Sequence, residues 1–190
     1  MQYRLGMLTL GAVLSVLAGC ATQRAQVLPA SNVSIGAFSL NGRVAVKLDG
    51  RGYTASLRWR HSAVRDSLRL LSPLGSVVGE IEADGDGATL TTADKKVYRS
   101  NDAQSLTREV LGWDLPLAGL RYSVTGRADP GAPVQAQSRD DKERLKSLMQ
   151  NDWRIAYSEY FGDSAMPARL SLAHDRLNMR LIVEHWELPE

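Results

Sequence analysis

Cys20 is the only thiol in a chain of 190 residues, so no disulfide can form within this sequence and any chemistry must be that of a single nucleophilic sulfur. Its setting says which chemistry. Arg4, an apolar run from Leu5 to Leu17 and the tetrad Leu17-Ala18-Gly19-Cys20 read together as a bacterial lipobox, in which the thiol is diacylated and the leader cleaved just before it. A chance cysteine in a membrane-spanning helix is the weaker reading, because the run covers only about two-thirds of the ~20 apolar residues a crossing needs. Ala21, not aspartate, follows the cysteine, which by analogy with enterobacterial sorting directs a lipoprotein to the outer membrane.

The other reactive residues do not assemble into a catalytic set. His61, His174 and His185 have no partner serine or cysteine motif and no His-x-x-x-His spacing, so each reads as a surface or strand histidine. Gly162-Asp163-Ser164 opens like a nucleophile elbow, but Met166 stands where the second glycine is required. Asp84-Gly85-Asp86-Gly87 suggests a calcium loop until Ala88 and Lys95 take its fifth and twelfth positions, which leaves a solvated hairpin turn. Neither an enzyme nor a metal site is expected, and no cofactor. The most specific candidate within the domain is Pro73-Leu74-Gly75, a short loop whose leucine forgoes burial worth roughly 1.5–3 kcal/mol unless it finds apolar surface elsewhere.

These residues are carried by one domain. Residues 1–19 read as the leader, 20–36 as a tether of Gln, Ala, Ser, Asn and Pro29 without sustained period, and 37–190 as a single folded unit. Of 23 basic residues only Arg4 lies in the leader, which leaves 22 against 21 acidic ones. That balance, with Lys and Arg scattered along the chain, excludes the basic stripe a nucleic-acid binder needs.

From Phe38 the pattern has period two. Val44, Val46 and Leu48 alternate with Arg43 and Lys47, and Tyr53, Ala55, Leu57 and Trp59 with Thr54, Ser56, Arg58 and Arg60. Asp49-Gly50-Arg51-Gly52 between them predicts an antiparallel hairpin. Strands follow over 67–72, 77–83, 88–92 and 96–99, with connections too short for crossover helices. Asn101 as N-cap, with Gln104 in a capping box and a stop at Gly112, predicts one amphipathic helix. Pro116 in a first turn predicts a second, through Tyr122. Strand-like alternation returns at 153–160, 169–173 and 177–188. Residues 139–150 remain open between a helix, by propensity, and a strand leading into Trp153.

Several segments in order resemble the LolB family of outer-membrane lipoprotein receptors. They are Phe38-x-Leu40-x-Gly42-Arg43-Val44-Ala45-Val46, Ser72-Pro73-Leu74-Gly75-Ser76, Gly112-Trp113-x-Leu115-Pro116-Leu117-x-Gly119-Leu120, Trp153-x-Ile155-x-Tyr157-x-x-Tyr160, Met166-Pro167-x-Arg169-Leu170, and a last strand ending near Trp186. The resemblance departs at Ser123, where the family usually carries a tryptophan. It implies a mainly β (α+β) fold, a curved unclosed antiparallel half-barrel of about eleven strands with a short-helix lid over an apolar cavity, and a strand rather than a helix over 144–149. It also implies a monomer, lipid-anchored at Cys20 on the periplasmic face of the outer membrane. Such a protein accepts triacylated lipoproteins from the carrier LolA and inserts them into the membrane, using Leu74 at its loop tip. The residues expected to line the acyl-chain cavity are Val44, Val46, Leu57, Trp59, Leu68, Leu70 and Ile81 on the early strands. Leu106, Val110, Trp113, Leu117 and Leu120 would close it from the helical segment, and Leu170, Leu172, Met179 and Leu181 from the last strands. Composition alone leaves a solid-cored assembly lipoprotein, acting through protein contacts, as the alternative.

Overall fold

The computed structural model describes residues 36–188; the leader, Cys20 and the tether up to residue 35 lie outside the described residues. Alternation of apolar and polar residues, broken by Asp-Gly turns, produces eleven strands in one antiparallel sheet. In chain order they are β1 Phe38–Leu48, β2 Arg51–His61, β3 Arg65–Leu71, β4 Val77–Asp84, β5 Gly87–Thr92, β6 Val97–Ser100, β7 Val134–Arg139, β8 Leu145–Gln150, β9 Trp153–Tyr160, β10 Pro167–His174 and β11 Leu177–Glu187. The spatial order is β6-β5-β4-β3-β2-β1-β11-β10-β9-β8-β7. The first and last strands thus pair in the middle, with Val44 opposite Leu181. The two free edges are β6 and β7. Right-handed twist accumulating over eleven strands curls such a sheet into an unclosed barrel.

Two local devices set the curl. The Asp49-Gly50 hairpin has both residues at positive φ, 49° and 81°, the primed turn that matches strand twist. At Asn41-Gly42 the β1–β11 register slips by one. A Cβ on Gly42 would stand 2.3 Å from the Ile182 carbonyl oxygen, so only glycine admits this approach.

The connection between the free edges carries both helices, α1 Ala103–Leu111 and α2 Leu117–Val124. The N-cap of α1 is Asp102 rather than the expected Asn101: its Oδ1 accepts from the Ser105 N–H at 2.7 Å and its Oδ2 from the Ser105 hydroxyl at 3.0 Å. Gln104, expected in a capping box, instead donates to Asp114. Gly112, at φ 77°, ends the helix as its sequence predicts. α2 begins one residue later than expected, with Pro116 as its cap, and runs on to Val124.

Residues 145–150 form a strand, paired with β7 and β9, as the family resemblance implies for 144–149 and propensity could not decide. Asp140 accepts from the backbone N–H groups of Lys142 and Arg144 and pairs with the Arg144 guanidinium at 2.7 Å, which fixes the turn. The outer strand β7 is exposed along its whole length, and its only alternation, Val134 and Ala136 against glutamines, is too short to announce it.

Candidate functional site

The interior divides into a filled end and an empty end. At the filled end, Phe38 lies edge-to-face on Trp59 and Trp186, with ring centroids 5.3 and 5.5 Å away, and 5.1 Å from His61. Asp66 Oδ1 accepts from Trp59 Nε1 at 2.8 Å and meets His61 Nδ1 at 2.9 Å, so the buried polar groups satisfy one another. His61 is therefore a buried hairpin partner of Asp66, not a surface residue; the sequence shows no sign of it because Asp66 arrives from the next strand. His174 stacks on Trp153 with ring centroids 5.1 Å apart, and exposed His185 lies 3.7 Å from Glu187.

One row further along the sheet, Leu40, Trp59, Leu68, Ile81 and Leu90 stand side by side across β1 to β5, all buried. Beyond that floor lies a hollow of about 180 Å³ lined almost wholly by apolar atoms. The row Leu70-Gly79-Thr92 and the row Val46-Met179-Leu172 form its walls near the Ser72–Ser76 turn.

Most expected lining residues meet there. Val44, Val46, Leu57, Trp59, Leu68, Leu70 and Ile81 line the hollow from the early strands, Trp113 and Leu120 from the helical segment, and Leu172, Met179 and Leu181 from the last strands. Four do not. Leu106 and Leu170 are wholly enclosed in the packed core, and Val110 packs against that core. Leu117 borders a depression on the outside. Alternation says only that a residue points inward; whether an atom from across the sheet has filled the space is not written in a two-residue period. Pattern reading also passed over Val78, Gly79, Leu90 and Thr92, and Leu111, Leu115 and Val124. A bulge between Leu70 and Leu71 shifts the register opposite Val77 and Gly79, which blurs the alternation there, and Gly79 offers no side chain to notice.

The helical segment that covers the hollow is braced within itself by polar groups. Buried Thr107 donates from its hydroxyl to the Ala103 carbonyl and accepts the Leu115 N–H at 2.9 Å. Arg108 clamps Asp114 through two bonds of 2.6 and 2.9 Å, and this guanidinium holds the Asp114 carboxyl below the usual carboxylate range. The Ser105 N–H does the same for the cap Asp102. Ser123, where the family usually has tryptophan, is buried, and its backbone carbonyl accepts the Tyr157 hydroxyl at 3.0 Å. Burial raises the Tyr157 phenol well above its ordinary value, and burial followed by the nearby Asp140 charge pushes Tyr160 up to about 12. Both stay neutral hydrogen-bond donors, and neither adjoins the hollow.

Leu74 is 94% exposed. The loop is a tight turn in which the Gly75 N–H donates to the Ser72 carbonyl at 2.8 Å, Pro73 takes the position its fixed φ suits, and Leu74 is left at the apex. A larger depression of about 500 Å³ lies elsewhere, between the β2–β3 and β4–β5 turns and the starts of the helices. Its lining includes Arg65, Asp84, Asp102 and Arg121, charged groups suited to water rather than to acyl chains. Among the described residues no group of three or more His, Cys, Asp or Glu is placed to hold a metal ion, and no helix is long and apolar enough to cross a membrane.

An unclosed antiparallel half-barrel with an apolar hollow beneath two short helices defines the fold class. A putative outer membrane lipoprotein-sorting protein domain from Vibrio parahaemolyticus shares it, with a TM-score of 0.52 over 80% of this chain and 85% of that one at 10% identity. The family described as outer membrane lipoprotein LolB matches residues 36–186. Relatives named outer-membrane lipoprotein LolB are 36% identical over 90% of this chain and 93% of their own length in Chromobacterium violaceum, and 36% identical over 79% and 72% in Nitrosomonas europaea. The chain belongs to the LolB family of outer-membrane lipoproteins, the receptors of lipoprotein sorting.

Proposed function

We propose that this protein, anchored by lipid on Cys20 at the periplasmic face of the outer membrane, takes triacylated lipoproteins from a LolA-like carrier into its apolar hollow and delivers them past Leu74 into the bilayer. The observation that carries this reading is a shared end. The hollow and the exposed leucine lie at the same end of the sheet, so cargo leaving the hollow meets the membrane where the loop does. Leu70 and Gly79, which wall the hollow, stand one strand position inside the turn itself.

The energetics favour such a route. An acyl chain gains about 0.8 kcal/mol per buried CH₂, so one long chain exposed to water costs on the order of 10 kcal/mol. Transfer therefore needs apolar shelter at every stage. A hollow of about 180 Å³ is smaller than the ~300–1,000 Å³ typical of small-molecule sites. Loading must then widen it, and the wall free to move is the one made by Leu111, Trp113, Leu115 and Leu120, which the sheet's hydrogen-bond ladders do not hold. Leu74 alone supplies at most about 2–3 kcal/mol of membrane contact, too little for anchoring, which falls to the lipid.

The test is transfer. The leaderless chain beginning at residue 20 with Cys20→Ala is mixed with a LolA-like carrier loaded with a triacylated lipoprotein, then with liposomes. Movement of the cargo first to this chain and then to the liposomes is expected. Cargo that stays on the carrier would sink the receptor mechanism.

A further inference from the structure

The end that carries Leu74 also carries a charge pattern that its loop does not explain. Along β1–β6, β10 and β11, strand register brings four turns to it: Asp49-Gly50, Ser72–Ser76, Ala93–Lys96 and Asp175-Arg176. In those turns and the strand positions beside them stand five cations, Lys47, Arg51, Lys95, Lys96 and Arg176, against the carboxylates Asp49, Asp94 and Asp175. Arg176 pairs with Asp49 at 2.9 Å and Lys96 with Asp94 at 2.8 Å. Lys47, Arg51 and Lys95 are exposed and take part in no ion pair among the described residues. Tyr53, 61% exposed, and Val97, 46% exposed, lie beside them.

The opposite end has the reverse sign. Arg60, Arg65 and Arg99 there face Glu82, Asp84, Asp86, Asp102 and Glu187. Val64 and Leu188 are exposed at that end as well, so exposed apolar residues by themselves do not separate the two. The charge around them does: cations outnumber carboxylates at the Leu74 end, and carboxylates outnumber cations at the other. An aliphatic tip, a tyrosine and surrounding Lys and Arg side chains are the composition of an interfacial membrane contact, where rings and methylenes enter the headgroup layer and cations meet phosphates.

We propose that the Ser72–Ser76 end docks face-on against a leaflet containing anionic phospholipid, with Lys47, Arg51 and Lys95 as the headgroup contacts around the Leu74 tip. This rests on the reading above that Leu74 enters the bilayer during delivery, and adds what orients the domain before it does. The anchor permits the pose. Phe38 begins β1 at the far end, and the eighteen residue steps from Cys20 to Phe38 can extend to about 60 Å, beyond the roughly 37 Å length of β1.

The experiment measures co-sedimentation of the leaderless Cys20→Ala chain with vesicles of phosphatidylcholine alone, or with about one-third phosphatidylglycerol, at low and high salt. Partition onto the anionic vesicles is expected to exceed that onto neutral ones by at least about tenfold and to fall with salt. The triple change Lys47→Glu, Arg51→Glu, Lys95→Glu should remove that excess, at about fivefold or more per cation. A matched triple away from this end, Arg58→Glu, Arg60→Glu, Arg99→Glu, makes the same net-charge change and should leave partition within about threefold. Equal binding to both vesicles, or equal loss in both triples, overturns the docking surface. Leu74→Glu in the transfer assay reads separately. Failed delivery with a harmless cation triple keeps the insertion role and removes the docking face, whereas normal delivery with a disabling triple does the reverse.

Discussion

The two ends of the interior are built from the same strands and differ in what meets across the curl. At the Phe38 end, aromatic rings from β1, β2 and β11 interlock, and the Trp59-Asp66-His61 cluster satisfies the polar groups. At the Leu74 end, smaller residues such as Val44, Val46, Val78 and Gly79 leave a space that Trp113 and Leu120 cover without filling. The difference shows how one sheet can carry both a packed core and an apolar hollow. Close packing at one end supplies stability, and the other end is spared from it.

If that division holds, substitutions in the packed core should break the fold and those that face the hollow only its use. Leu170→Ala, at a fully enclosed site, should have the largest effect, lowering stability by about 2–5 kcal/mol in urea unfolding. Asp66→Ala leaves the Trp59 and His61 ring nitrogens without their buried acceptor. A loss of roughly 2–3 kcal/mol by the same measurement is expected.

Gly79→Leu probes the empty end. A Cβ there meets only Leu90 Cδ1 at 3.9 Å and the Thr91 carbonyl at 4.0 Å, so the side chain enters the hollow. Stability should change by less than about 1.5 kcal/mol, while uptake of cargo from the carrier is blocked. Destabilisation as large as that of Leu170→Ala would show that the hollow is a packed core after all. Leu74→Glu should alter unfolding by less than about 0.5 kcal/mol and yet prevent delivery to liposomes.

The smallest effect concerns acid. Asp102 and Asp114 have carboxyls held below their ordinary values, so their contribution is present above about pH 4 and is lost as pH falls through the depressed values. Circular dichroism should show the helical segment loosening under acid before the sheet, which is held chiefly by its backbone hydrogen bonds. Simultaneous loss of helix and sheet would mean that the cover and the barrel are one cooperative unit.

Much of the sheet was legible because a half-buried strand must alternate and a hairpin must turn with residues that tolerate positive φ. Trp153–Tyr160 was readable to the residue, and Asp49-Gly50 announced its turn. The misses have equally local causes. Asn101 and Asp102 are both good caps, and only the placement of the Ser105 N–H chose the second. β7 buries nothing, so beyond Val134 and Ala136 its sequence carries no apolar period. For residues 139–150 propensity opposed the strand, which is held by pairing with β7 and β9 that no local window contains.

The sequence by itself determined the alternation, the turns, the lipidation motif and the order of family motifs, all properties of residues near one another along the chain. Only the tertiary structure decided that Leu106 and Leu170 are packed while Val44 and Leu57 face a space, and that Leu74 stands at the same end as that space. A void is the absence of atoms between residues as far apart in sequence as Val46, Leu120 and Met179. Its presence depends on how far the accumulated twist carries those strands and helices from one another.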